Sequence, residues 1–207
     1  MKAPEREAHW QNIYQTKDSQ QVSWYQVKPE ASLEWIASLK LEKEDAILDV
    51  GAGDSRLADF LLDEGYQNLR LLDISEEALK LAQHRLKEKA ELAQWFNSDI
   101  LDFKSQQDYK LWHDRAAFHF LRDDAAIQKY VQIAADSIMD KGYLILATFS
   151  NNGPLKCSGL EIQRYDELQL VDRFNQHFEL LDHQRVQHQT PSGGTQEFLY
   201  ALFQRNA

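Results

Sequence analysis

At 207 residues, 43% hydrophobic and 11% aromatic, the chain has the length and composition of one packed domain spanning 1–207, which sets aside a disordered or fibrous protein. A net charge of −10, from 33 acidic and 23 basic residues, disfavours nucleic acid as a partner and leaves small molecules or basic protein segments. Cys157 is the only cysteine, which excludes an internal disulfide and a thiolate zinc site; with no run near the roughly 20 apolar residues of a membrane span and a charged opening, MKAPEREAHW, the expected location is cytoplasmic.

From Lys2 to about Thr16 the pattern is helical, with His9, Trp10, Ile13 and Tyr14 on one face of a covering helix. The segment SWYQ that follows places Trp24 and Tyr25 in a loop, and two large aromatics in a loop predict a lid. Pro29 and Glu30 can open a second helix carrying Leu33, Trp35, Ile36, Leu39 and Leu41. These covering elements make up residues 1–44. A cofactor-binding core over 45–150 then begins with the short apolar run AILDV, the first buried strand. A helix over about Ser55 to Glu64 stops at Gly65, LRLLDI is a second strand, and SEEALKLAQHRLKEKA is a helix with Ser75 as its cap. AQWFNSDI is the third strand and YKLWHDRAAF contains the fourth. A helix follows from Asp123 to Asp140, and GYLILATF is the fifth strand. Over 151–207 the pattern changes to a loop, a helix near Asp166 to Phe174, and two alternating strands, FELLDHQRVQHQ and TQEFLYALFQ, around the turn PSGG. Alternating strands and helices predict right-handed crossovers and a mainly parallel sheet covered on both faces, a three-layer α/β/α architecture.

The motif that carries chemistry is ILDVGAGDSRL, where a buried strand runs into Gly51 and Gly53 and then into a helix. Glycine lets the backbone approach a ligand, and a helix start offers free N–H groups. Asp73 ends the second strand, 20 residues beyond Gly53, where a nucleoside-binding fold places a carboxylate for the ribose hydroxyls. Asp99 repeats that arrangement at the end of the third strand, in reach of an adenine amino group.

LDVGAG, LLDIS and SDILD together resemble the glycine loop, second-strand acid and third-strand acid of class I S-adenosylmethionine-dependent methyltransferases, over about Asp45 to Phe149. The resemblance implies a Rossmann-like methyltransferase fold with a mostly parallel seven-stranded sheet, whose antiparallel end the C-terminal hairpin would supply. It also implies S-adenosylmethionine as cofactor and S-adenosylhomocysteine as product. Carried over, Asp49, Gly51, Ala52 and Gly53 lie along the methionine part, Asp73 and Ile74 at the ribose, and Asp99 and Ile100 at the adenine. Ser55 stands where many members have a further glycine. The SWYQ and WHDR segments are similar to bacterial members of unassigned substrate and, more distantly, to protein-lysine methyltransferases.

Two other classes share parts of this pattern. A nicotinamide-dependent oxidoreductase wants glycine where Arg56 stands. A methyltransferase fold that binds the cofactor without catalysis would keep the glycine loop and lack an acceptor site. Reactive groups nonetheless exist at the mouth of the fourth strand: His113 or Asp114 could take a proton from the acceptor, or could instead bond to one another or cap the next helix. Trp24, Tyr25, Arg115, His119, Arg164 and Tyr165 are candidates for the acceptor side, Arg164 through a bidentate pair with a carboxylate or phosphate. The expected acceptor is a small molecule, ranked just ahead of a protein side chain.

Overall fold

The computed structural model describes residues 3–207, so the expected helix start at Lys2 lies outside the described residues. Two helices, α1 (Ala3–Thr16) and α2 (Glu30–Ser38), precede an alternating run: β1 (Ile47–Val50), α3 (Leu57–Asp63), β2 (Leu69–Asp73), α4 (Glu76–Leu86), β3 (Ala93–Asn97), β4 (Tyr109–Arg115), α5 (Asp124–Ser137) and β5 (Ile138–Phe149). A small hairpin, β6 (Lys156–Cys157) and β7 (Leu160–Glu161), then leads to α6 (Glu167–Phe174) and the long strands β8 (Phe178–Gln189) and β9 (Thr195–Arg205).

Seven strands form one sheet in the order β3-β2-β1-β4-β5-β9-β8. The first five are parallel, and β9 enters antiparallel between β5 and β8, as the alternation around PSGG predicts. That turn closes through Thr190 N donating to Gly194 O, with Gly193 at φ +84°. The central parallel strands β1, β2 and β4 are buried on both faces, while the edge strand β3 is partly exposed, and the buried side chains alternate between two apolar clusters. Ile47, Leu71, Leu111 and Ile145 join α2, α3 and α4 on one face; Leu48, Leu72, Trp112 and Leu144 join α5 and α6 on the other. Among the described residues no helix is long and apolar enough to cross a membrane.

Local signals account for most boundaries. Ser75 caps α4 by accepting from Ala78 N, and Asp166 with Gln169 forms a capping box on α6. The helix expected to reach Asp140 ends at Ser137 instead. Ile138 is β-branched, buried and paired with Tyr109, so packing draws it into β5 ahead of a register shift. Likewise α4 stops at Leu86, where Lys87 takes φ +55° and a 3₁₀ segment over Lys87–Leu92 follows.

Candidate functional site

One cleft, enclosing about 1300 Å³ of empty space with its mouth included, runs across the carboxyl ends of β1, β2, β3 and β4. Open α/β sheets bind ligands at this edge because the strand order reverses there and opens a crevice. At one end, Gly51 and Gly53 both take positive φ, +64° and +55°. A Cβ on Gly51 would lie 2.6 Å from that of Ala117, and the Tyr14 hydroxyl of α1 occupies the place a Cβ would take on Gly53. Both positions therefore need glycine for close approach as well as for backbone conformation.

Asp73 is buried at the floor of this end. One carboxylate oxygen accepts from Gly53 N at 2.8 Å and the other from Ser75 N at 2.7 Å. Burial pushes its pKa up to about 6 against the opposing pull of those N–H groups. Asp99 accepts from Leu101 N at 2.9 Å and is ion-paired with Arg6 of α1. Ile74 and Ile100 line the same end. Asp54 is held by Arg85, and the hydroxyl of Ser55 accepts from Leu57 N at the start of α3.

In the middle of the cleft the parallel register sets Asp49 beside His113. His113 Nδ1 lies 2.7 Å from Asp49 Oδ1 and Nε2 lies 2.9 Å from Ser32 Oγ, which is 3.3 Å from the Tyr200 hydroxyl. In the neutral imidazole Nδ1 donates to Asp49 and Nε2 accepts from Ser32. Both ring nitrogens are thus occupied, and the remaining oxygen of Asp49, Oδ2, is buried without a partner.

Strand alternation turns Asp114 the other way, into the second cluster and out of the cleft lining. It accepts from Tyr130 Oη at 2.7 Å and from Ala117 N and Phe118 N at 2.9 and 3.2 Å. Burial raises its pKa to about 6. The expected bond between His113 and Asp114 is therefore absent, and Asp114 is spent on the turn that sets Ala117 under Gly51.

At the other end, Trp24 lines the cleft and meets Trp10 and Tyr14 edge-on at 5.8 and 6.3 Å. Ser23 O lies 2.7 Å from His188 Nε2, which fastens this loop to β8. Tyr25 lies 5.9 Å from the guanidinium of Arg56, whose Nε is buried and unpartnered. Arg115 donates from Nη1 to Trp24 O at 3.1 Å and lies 4.9 Å over the Phe198 ring.

Three residues expected on the acceptor side do not line the cleft. His119 is fully buried, stacked 4.8 Å from Phe149, and burial beside Arg115 lowers its pKa to about 3. Arg164 donates to Asn151 O and Gly153 O, bracing a loop, and Tyr165 packs 5.4 Å from Phe118. Conversely Arg6, Tyr14, Arg56 and Cys157 line the cleft without having been expected there. Arg56 follows the glycine loop directly, which was a usable signal; Arg6 and Cys157 arrive from segments whose sequence carries none.

Residues 47–142 match the family model described as a methyltransferase domain. No curated protein matches the sequence. Among solved structures, a S-adenosylmethionine-dependent methyltransferase from Anabaena variabilis superposes with a TM-score of 0.76 at 14% identity, covering 99% of this chain and 95% of its own. The N-methyltransferase NodS of Bradyrhizobium japonicum, in complex with S-adenosyl-L-homocysteine, gives 0.71 at 14%, covering 96% and 100%. The Burkholderia thailandensis 1,6-didemethyltoxoflavin-N1-methyltransferase, with bound 1,6-didemethyltoxoflavin and S-adenosylhomocysteine, gives 0.71 at 17%, covering 99% and 87%. At these identities the likeness is one of fold.

Proposed function

We propose that this chain, which has the class I methyltransferase fold and matches a methyltransferase-domain model over residues 47–142, is a S-adenosylmethionine-dependent methyltransferase whose acceptor is a small molecule enclosed beneath Trp24 and Tyr25. The residues suit the cofactor. Gly51 and Ala52 line the cleft where its methionine part would lie, and the unpartnered Oδ2 of Asp49 is a buried acceptor for an ammonium group. Asp73 would hold the ribose, since its two oxygens accept from the Gly53 and Ser75 N–H groups and keep lone pairs for hydroxyls. Asp99 and Ile100 would flank the adenine, with Ile74 between the two.

When bound, the cofactor supplies an electrophilic methyl group on a sulfonium. The chain's own contribution is placement. Holding an acceptor in line at about 3–3.5 Å from a reacting carbon replaces most of the entropy loss of a bimolecular encounter. His113 has no free ring nitrogen and Asp114 faces away, so His113 acts by fixing Asp49 through the chain to Ser32 and Tyr200 rather than by taking a proton. An acceptor with a lone pair already free at neutral pH suits such a site.

The observation that carries the small-molecule reading is the roof. Trp10, Tyr14, Trp24 and Phe120 meet in edge-on or tilted ring contacts across the acceptor end. A compact molecule can be closed under such a roof, whereas a side chain of a folded protein would hold it open. Incubation of the purified chain with methyl-tritiated S-adenosylmethionine and a bacterial lysate split by dialysis tests this. A labelled product other than S-adenosylmethionine, separated from it chromatographically and formed only with the chain present, is expected from the dialysable fraction; labelled product formed only in the retained protein would overturn the small-molecule reading.

A further inference from the structure

Charge is matched differently at the two ends of the cleft. Asp54 and Asp99 are paired with Arg85 and Arg6, while Asp49 is hydrogen-bonded to His113 and Asp73 accepts from two backbone N–H groups. Arg115 has no such match: it makes no ion pair among the described residues, although it lies at the acceptor end beside Trp24.

Its unmatched atoms are specific. Nη1 is committed to Trp24 O, while Nε and Nη2, the two donors on one edge of the guanidinium, are shielded from water and have no acceptor. The titratable groups that sense its charge bring no anion. Burial holds Cys157 as a thiol, with its pKa near 11, and leaves the rings of His119 and His188 uncharged, both lowered by burial and by Arg115 itself. Arg115 is half-buried, and two donors shielded from water with no acceptor are unfavourable unless a ligand completes them. The ring of Phe198 and the bond to Trp24 O fix the plane of the guanidinium, so the open edge is held ready.

Two parallel N–H donors in one plane match the two oxygens of a carboxylate. A phosphate dianion would ask for further donors than this single edge provides. We infer that the Nε–Nη2 edge of Arg115 recognises a carboxylate on the methyl acceptor, so that the substrate is a small organic acid. This rests on the reading of the Trp24 end as the acceptor site. Because the edge is covered in the present arrangement, the acid is engaged as the Trp24 loop opens and reseats over it.

The test uses the full chain saturated with S-adenosylhomocysteine, titrated calorimetrically with benzoate, phenylacetate, cinnamate and indole-3-acetate, each paired with its uncharged amide. At least one acid is expected to bind about tenfold more tightly than its amide, and Arg115→Met is expected to remove that preference. Arg115→Lys, which keeps the charge and loses the planar edge, should retain only part of it. Equal binding of acids and amides, no binding by any acid, or an acid preference that survives Arg115→Met would overturn the inference.

Two controls separate this from the underlying reading. S-adenosylhomocysteine affinity is expected to be the same in wild type and Arg115→Met. A loss there would assign the edge to the cofactor's own carboxylate and overturn the inference while leaving the methyltransferase reading in place; failure of wild type to bind S-adenosylhomocysteine would bring down that reading itself. The ligand-free Tm of Arg115→Met is expected to hold or rise, since two shielded donors with no acceptor are gone. A large fall shared with Arg115→Lys would make Arg115 a structural residue and overturn the inference.

Discussion

The glycine-loop end of the cleft and the Trp24 end share one sheet edge and differ in how they are finished. At the first, carboxylates are clamped by backbone N–H groups, by Arg6 and by Arg85, so the shape is set before any ligand arrives. At the second, Arg115 and Arg56 keep donors open beneath a roof of aromatic rings that a short loop carries. A cradle for a common cofactor can be rigid and self-satisfied. A site that selects one acceptor keeps its polar groups unmatched until that acceptor supplies the match.

The largest expected effect comes from breaking the rigid end. Gly51→Ala puts a methyl group 2.6 Å from Ala117 Cβ at φ +64°, and is expected to lower stability by roughly 3 kcal/mol, about 10 °C in Tm, with S-adenosylhomocysteine binding lost alongside. Thermal denaturation and calorimetry read both; a variant indistinguishable from wild type would show that the close approach is not needed.

Next is Asp73→Ala, expected to weaken S-adenosylhomocysteine binding by about tenfold or more through loss of ribose acceptors. The same carboxylate gives wild-type binding a pH dependence. With a pKa near 6, Asp73 is ionised above that value and protonated below it, so affinity should fall as pH drops from 7 to 5. Affinity constant over that range would remove Asp73 from the ribose role.

A smaller effect sharpens the other end. His119 has its pKa lowered from 6.5 to about 3 by burial, so the folded state resists protonation that the unfolded chain accepts. Its contribution to stability is full above pH 6.5 and is lost as pH falls from there towards 3. Asp73 and Asp114, raised from 3.8 to about 6, work oppositely: what they contribute is full below pH 3.8 and lost as pH rises through 6. The difference in Tm between His119→Phe and wild type isolates the histidine, and it should shift in favour of the variant as the medium is acidified below pH 6.5. A difference independent of pH would mean that His119 has the same proton affinity in the folded and unfolded chain, and so no burial-lowered pKa.

The smallest effect is expected at Arg164, which braces Asn151 O and Gly153 O away from the cleft. Arg164→Ala should lower stability by about 1 kcal/mol and leave cofactor binding unchanged. A loss of binding would bring the loop into the site.

The contrast between the two ends also explains what the sequence made legible. Gly51, Gly53, Asp73 and Asp99 follow directly from strand ends and glycine spacing, because each sits at a turn whose geometry is local. The strands themselves were equally legible, since buried parallel strands read as short apolar runs and β8 and β9 alternate around PSGG, whereas their order in the sheet was not. The Trp24 end is assembled from α1, the Trp24 loop, the end of β4 and the hairpin carrying Cys157, and no local pattern joins those segments. His113 and Asp114 show the limit clearly. As neighbours on one strand they look like a pair, yet the pleat sends them to opposite faces, one to Asp49 and the other to Tyr130. His119, Arg164 and Tyr165 were drawn to the site by proximity in sequence to strand ends, while packing on Phe149, on a loop carbonyl pair and on Phe118 holds them elsewhere.

The most direct measurement is calorimetric titration of the purified chain with S-adenosylmethionine and S-adenosylhomocysteine, with NADH as control. Micromolar binding of both sulfur nucleosides and none of NADH is the predicted result; NADH binding, or no binding of either sulfur nucleoside, would contradict the assignment of this cleft.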